Sequence, residues 1–179
     1  MERVTAKNFG GVMYKTGDFV VHGRDGLCEI TEISSMDLIG EGNERDYYIL
    51  VPVTNPKSRI YVPVGTGENK LRAPLTEKEA LQIIDELPSI EALPIENEKT
   101  REKDYNTAII KNDCVELFKL IKTTYTRNME RREKGHTATA IDEAYYKTAV
   151  KALHSELGYA LGIGAEEMEN FIEQRLGKA

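Results

Sequence analysis

Apolar residues recur at two different periods along the chain, and the change falls near Arg72–Thr76. Up to Arg72, β-branched and aromatic runs occupy Tyr14–Gly23, Gly26–Ile30, Tyr47–Val53 and Arg59–Val64. Short runs of this composition, bounded by turn residues, read as strands. Gly17-Asp18 and Gly23-Arg24-Asp25-Gly26 punctuate the first of them. Gly40-Glu41-Gly42-Asn43 links the second pair, and Asn55-Pro56-Lys57-Ser58 leads into Arg59–Val64. Such short spacings imply hairpins. Pro52 and Pro63 lack the N–H that a ladder requires, so each belongs at a strand end or a sheet edge. The pattern predicts a small, strongly bent antiparallel sheet of five strands.

From Leu75 onward the period is helical. Thr76-Glu77-Lys78-Glu79 is a capping-box pattern, followed by Leu81, Ile84 and Leu87 before Pro88 stops the helix. A proline-bounded connector covers 88–98, and the next helix is expected over Arg101–Ile110. Asp113 offers a cap for a long helix whose stripe is Cys114, Phe118, Ile121, Tyr125 and Met129, ended by Gly135. Thr139 to Asp142 caps another, with Ile141, Tyr145, Ala149, Leu153 and Leu157 four apart. A last helix carries Met168, Phe171 and Ile172 before Gly177. Each stripe spans only a few turns, so mutual packing into a compact bundle explains it better than a coiled coil, and the aromatic stripe residues are expected in the core. The fold class is therefore α+β with two domains: a β module over 13–73 and an all-helical domain over 74–179. Residues 1–12 precede the patterned sequence and are expected to be disordered or a cloning remnant.

Composition changes this picture little. The 179 residues are 40% hydrophobic and 30% charged, enough for packed cores in one domain or two small ones. No apolar run approaches the roughly 18 residues of a membrane span. Cys28 and Cys114 lie far apart and read as buried thiols of a reducing, cytoplasmic protein. Charge is more informative, because the net of −6 is unevenly spread. Residues 74–98 set Lys78 against seven acids, whereas residues 99–134 carry ten Lys or Arg against six acids. An acidic chain of this kind can still present one basic face.

Candidate chemistry is sparse. His22, His136 and His154 have no Cys or carboxylate at metal-ligand spacing, and there is no GxSxG elbow. Gly65-Thr66-Gly67-Glu68-Asn69-Lys70 lacks the GxxxxGK[ST] spacing, and no helix starts after Lys70 to direct N–H groups at a phosphate. A non-enzymatic protein without metal or cofactor is expected. What remains are surfaces, chiefly an open strand edge that a partner strand could extend.

The order and spacing of several stretches carry a resemblance. YKTGDFVVHGRDGLCEI (14–30), YYILVPV (47–53), SRIYVPV (58–64) and LRAPLTEKEA (71–80) resemble the strands and the domain junction of the CarD/CdnL transcription regulators, whose N-terminal module also occurs in transcription-repair coupling factors. NEKTREKDYNTAIIKNDC (97–114), LIKTTYTRNMERREKG (120–135) and TAIDEAYYKTAVKALHSELGYALGI (139–163) resemble the family's helical domain in its clostridia-like form. The resemblance implies a Tudor-like module that binds the β subunit of bacterial RNA polymerase, and a helical domain that contacts promoter DNA at the upstream edge of the melted region.

Carried over residue by residue, the resemblance implies polymerase contacts at Ser35, Met36 and Tyr61. The family's wedge tryptophan is absent, since the chain has no Trp, and Pro94 and Ile95 are the apolar residues nearest its place. A basic pair of the family aligns with Glu143 and Ala144. Phosphate contacts would fall to Arg101, Lys103, Arg127, Arg131, Arg132 and Lys134. DNA contact is thus expected to be weak and polymerase-dependent. Two rival readings stay open: a divergent paralogue that docks on polymerase without wedging DNA, and a module that self-associates through its edge strand.

Overall fold

The computed structural model describes residues 14–38, 40 and 42–177; the extension expected over residues 1–12 lies outside them. The chain divides into two compact units between Pro74 and Leu75. An antiparallel five-stranded sheet is followed by five helices, the α+β layout that the change of period predicts. Among the described residues no helix is long and apolar enough to cross a membrane.

The sheet consists of β1 (Phe19–His22), β2 (Gly26–Met36), β3 (Arg45–Pro52), β4 (Ile60–Pro63) and β5 (Leu71–Arg72), in the order β4-β3-β2-β1-β5. One face carries the main core, formed by Val20, Cys28, Ile30, Tyr48, Leu50, Val62 and Leu71, while Val21, Leu27 and Tyr47 are buried on the other. Tyr48 anchors the main core. Its ring meets the edge of Tyr14, with centroids 6.1 Å apart, and its hydroxyl donates to Glu68 Oε1 at 2.7 Å. Burial and that carboxylate both push the Tyr48 phenol well above its ordinary value. The Gly65–Lys70 stretch, whose spacing falls short of a phosphate loop, is a turn and a short 3-10 segment that bring Glu68 back onto Tyr48. Pro52 and Pro63 close β3 and β4, as their missing N–H groups require. Strand β2 continues past Ile30 to Met36, with a bulge at Thr31 where the register shifts between Ile30 and Glu32. An extra residue of this kind bends its strand and increases the twist.

The helical unit holds α1 (Glu77–Glu86), α2 (Arg101–Lys111), α3 (Cys114–Glu133), α4 (Ala140–Leu161) and α5 (Met168–Leu176). Its starts are set by local chemistry. Thr76 and Glu79 form the reciprocal capping box, Asp113 accepts from the N–H groups of Val115 and Glu116, and Thr139 accepts from that of Asp142. Asn112 ends α2 in the left-handed region at φ 46°. The core gathers Ala80, Ile84, Leu87, Tyr105, Ile109, Leu117, Leu120, Ala149, Leu153, Leu157 and Met168 around the α3–α4 pair.

The stripe expected on α3 is only half right. Cys114 is buried and Phe118 and Ile121 lean on the core, but Tyr125 is 55% exposed and Met129 faces solvent. The inward positions of that half are Thr123, Thr124 and Asn128. Thr124 Oγ1 donates to Leu120 O at 2.8 Å, and Thr123 Oγ1 donates to Lys119 O at 2.8 Å while accepting from Leu93 N at 2.7 Å. Hydroxyls bonded in this way can be buried without the usual desolvation cost, so polar residues take the inner face. On α4, Ala149, Leu153 and Leu157 are buried as expected, Tyr145 is half-buried against Tyr105, and Ile141 lies on the rim.

Helix α4 ends in a Schellman turn. Gly162 takes φ 67°, and Ile163 N–H returns to Gly158 O at 3.0 Å. The chain folds back so closely that a Cβ on Gly158 would lie 2.7 Å from Ile163 O. Gly158→Ala is therefore expected to cost about 1–3 kcal/mol, the range for inserting a methyl where backbone must shift. Urea unfolding followed by helical circular dichroism measures it; an unchanged midpoint would contradict the close packing.

Candidate functional site

The outer edge of β4 and the part of β2 that runs past β1 are not equivalent. Strand β1 pairs with β2 only over Gly26–Glu29, with a last exchange of bonds at Ile30, whereas β3 runs beside β2 as far as Met36. Among the described residues, the outer edge of β2 beyond Thr31 is therefore uncovered. Ladder alternation decides which groups face it. Asp46 gives its carbonyl to Val64 N at 2.9 Å, on the β4 side. Its partner Ser35 accordingly turns its own N–H and C=O away from β3, as does Ile33 opposite Tyr48. Two residues with full backbone valence thus point outward.

The β4 edge is poorer. The same alternation directs Tyr61 and Pro63 outward. Pro63 has no N–H, and its carbonyl already accepts from Gly67 N at 3.0 Å. Only Tyr61 keeps both groups for a partner. Its side chain is 46% exposed and lies in a cross-strand row with Ile49 and Glu32. Met36, opposite Arg45, falls on this same face, while Ser35 falls on the other. Met36 and Tyr61 are separated by four residues of strand, about 13 Å, and by two strand spacings of about 4.8 Å.

The helical unit is organised around one buried carboxylate. Asp142 is fully buried. It accepts from Tyr105 Oη at 3.0 Å on α2 and from Thr139 Oγ1 at 2.7 Å. Two guanidinium groups approach it, with Arg101 Nε at 3.5 Å and Arg127 Nε at 3.7 Å. Neither Nε makes a hydrogen bond, so their attraction to Asp142 is coulombic. Arg127 also grips Glu98 with two 2.7 Å bonds from Nη1 and Nη2, and Arg101 lies 3.8 Å from the same carboxylate. Burial and Asp142 push the Tyr105 phenol up to about 12. The fork of Arg127 holds Glu98 below the usual carboxylate range, so Glu98 is ionised at neutral pH.

A family model, the CarD-like/TRCF RID domain, matches residues 14–74. That span contains the whole sheet. The N-terminal unit is a CarD-like/TRCF RID domain. A search of curated proteins returned no match. The RID domain carries Ser35, Met36 and Tyr61, whereas the residues expected at DNA all lie in the helical unit, outside the matched span.

The structure splits those DNA candidates. Arg127 has both Nη groups taken by Glu98, and Arg101 is held beside Asp142 and Glu98 by charge and by a 3.2 Å bond from Nη1 to Glu98 O. Arg131 Nε donates to Thr137 O at 2.8 Å and braces the α3–α4 loop. Lys103, Arg132 and Lys134 are exposed. Arg132 borders a groove of about 220 Å³ between α3 and α4, beside Tyr125, Met129, Tyr146 and Lys147. Pro94 is exposed, but Ile95 packs on the helical core, and its strap is pinned by Thr123 to Leu93 N and by Lys122 Nζ to Ile90 O at 2.7 Å. Ile95 is therefore a core contact, and only Pro94 of the two stands clear.

Residues that sequence reasoning missed are Asp142, Glu98 and Tyr105. Thr139-x-x-Asp142 announces a cap, but nothing linear ties it to Tyr105, 37 residues away. The histidines form no cluster. His22 Nδ1 bonds Asp25 Oδ2 at 2.8 Å, His136 is exposed, and burial holds His154 below its ordinary value. Both cysteines are buried free thiols, and burial pushes Cys28 up to about 12. Removing Asp142 leaves two arginines facing each other. Asp142→Ala is expected to lose about 3–5 kcal/mol, and Tyr105→Phe, which deletes one hydrogen bond, about 1 kcal/mol. Equal losses in chemical denaturation would show that Asp142 is not the centre of the network.

Proposed function

We propose that the protein is a non-enzymatic regulator of bacterial transcription that docks on the β subunit of RNA polymerase through its RID domain and holds its helical unit beside promoter DNA. The reading is supported most by the uncovered edge of β2 within a domain of this family. Ile33 and Ser35 offer two N–H and two C=O groups at strand spacing, the arrangement that lets a partner add a strand. Backbone pairing supplies affinity there, and the Met36–Tyr61 face supplies side chains, tyrosine being a common anchor at such interfaces. Its place of action is the cytoplasm, where polymerase works. The helical unit contributes through exposed cations. With a net charge of −6 the free protein is a weak DNA ligand, and tethering to polymerase raises the local concentration to about the millimolar level.

Two experiments test this. Ser35→Pro removes an N–H that no ladder bond uses, so the sheet should fold, while binding to purified polymerase in a pull-down or calorimetric titration should fall at least tenfold. Tyr61→Asp should weaken binding through the face, by about 2 kcal/mol if Tyr61 is an anchor. Full binding by folded Ser35→Pro rules out strand addition, and no binding by the native chain rules out the assignment itself. Separately, Arg132→Glu with Lys134→Glu should shorten open-complex lifetime at a promoter and leave polymerase affinity within about twofold. An unchanged lifetime would favour docking without DNA contact. Arg131 is unsuited to this test because its loss also frees the α3–α4 loop.

A further inference from the structure

The two arginines of the Asp142 network are matched to their acids unequally. Guanidinium groups stay charged in proteins, and their planar forks suit carboxylates and phosphates equally. Arg101 and Arg127 bring two positive charges, and two acids balance them in very different ways. Asp142 is fully buried and belongs to the interior. Glu98 has a side chain 62% exposed and sits on the connector just ahead of α2. It nevertheless takes the full fork of Arg127 through two parallel 2.7 Å bonds. That is the geometry in which an arginine receives two oxygens of a phosphate.

We propose that Arg127, with Arg101 behind it, is a phosphate-binding site that Glu98 keeps occupied from within the chain. The exposed carboxylate stands where two phosphate oxygens would stand, and its departure would leave Asp142 and the helix packing in place. Tethering makes Glu98 a competitor at high effective concentration. An isolated phosphate group displaces it poorly. A nucleic-acid backbone, anchored at the same time by other exposed cations of the helical unit, displaces it more readily. The site is thus closed in the free protein and opens when DNA is held close.

This rests on the reading of the helical unit as a DNA neighbour, and the test separates the two. Full-length native protein and Glu98→Gln are titrated into a fluorescent duplex at several salt concentrations. Glu98→Gln should bind about three- to tenfold more tightly, and the slope of log K against log[salt] should steepen by about 0.9 for each phosphate gained. Glu96→Gln removes the same charge from a nearby exposed position and should leave the slope unchanged. Glu98→Gln combined with Arg127→Lys keeps the charge but loses the fork, and should forfeit most of the gain. Millimolar inorganic phosphate in a melting assay identifies the source. Stabilisation of Glu98→Gln but not of native protein shows that a free phosphate suffices, and duplex binding without it shows that the backbone is required; both support the site. Folded Glu98→Gln, or Glu98→Ala, with native affinity and slope would overturn it. If that happens while Arg132→Glu with Lys134→Glu still shortens open-complex lifetime, the masking fails and the promoter reading stands. Tighter duplex binding by Glu98→Gln in a protein that ignores polymerase would instead uphold the masked site and remove the promoter reading.

Discussion

A carboxylate with no access to water must find its compensation inside the protein, and Asp142 draws it from three separate segments. Tyr105 and Arg101 come from α2, Arg127 from α3 and Thr139 from the turn that opens α4. Those helices are fixed in rotation as well as in distance, because an alternative packing would strand at least one charge. Apolar contacts alone tolerate slippage of a turn or a few tens of degrees; a buried charge that needs a phenol on one side and a guanidinium on another does not. The connector before α2 is drawn into the same set through Glu98. Glu156 plays a similar part at the other end of α4, accepting from Leu75 N at 3.1 Å and standing 3.5 Å from Cys114 Sγ.

The sheet solves a different problem. Its packed face buries Tyr48, Leu50 and Ile30, yet a module of this size cannot cover every edge. Natural sheets blunt such edges with proline, and β4 follows that practice at Pro63. Strand β2 does not: past Ile30 it runs Thr-Glu-Ile-Ser-Ser-Met, half-buried to exposed, and no proline follows until β3 ends. An unguarded edge on one strand beside a guarded one on another is what a site reserved for a partner strand requires.

Much of this is legible in the sequence because it is local. Thr76 with Glu79, Asp113 and Thr139 each announce a helix start within four residues, and Pro52 and Pro63 announce strand ends by chemistry they lack. The α3 stripe misleads because periodicity counts apolar residues, whereas Thr123, Thr124 and Asn128 take the inner face. Arg101 and Arg127 read as available cations because sequence shows a charge and never its counter-charge. Ile95 reads as a loose apolar residue because the bonds that pin its strap come from Thr123 and Lys122, some thirty residues on. The interval of three between Ile30 and Ile33, where a strand should count by two, is the linear trace of the bulge, and a count of apolar runs passes over it.

That bulge acts as a phase shift in the strand. In an uninterrupted ladder Glu32 would oppose Tyr48 and enter the main core face, while Ile33 would turn to the other face opposite Tyr47. One supernumerary residue, Thr31, resets the count so that Ile33 meets Tyr48 and Glu32 joins Ile49 and Tyr61. The bulge is therefore the way a strand with one residue more than its partner keeps both faces in register. Many side chains could replace Thr31, whose own hydroxyl merely reaches Ile49 O at 3.2 Å. Deleting it without replacement would leave Glu32 opposite Ile49 and Ile33 opposite Tyr48 in a regular ladder, so the in–out order would survive and the strand would lose only the local bend and extra twist that the bulge supplies.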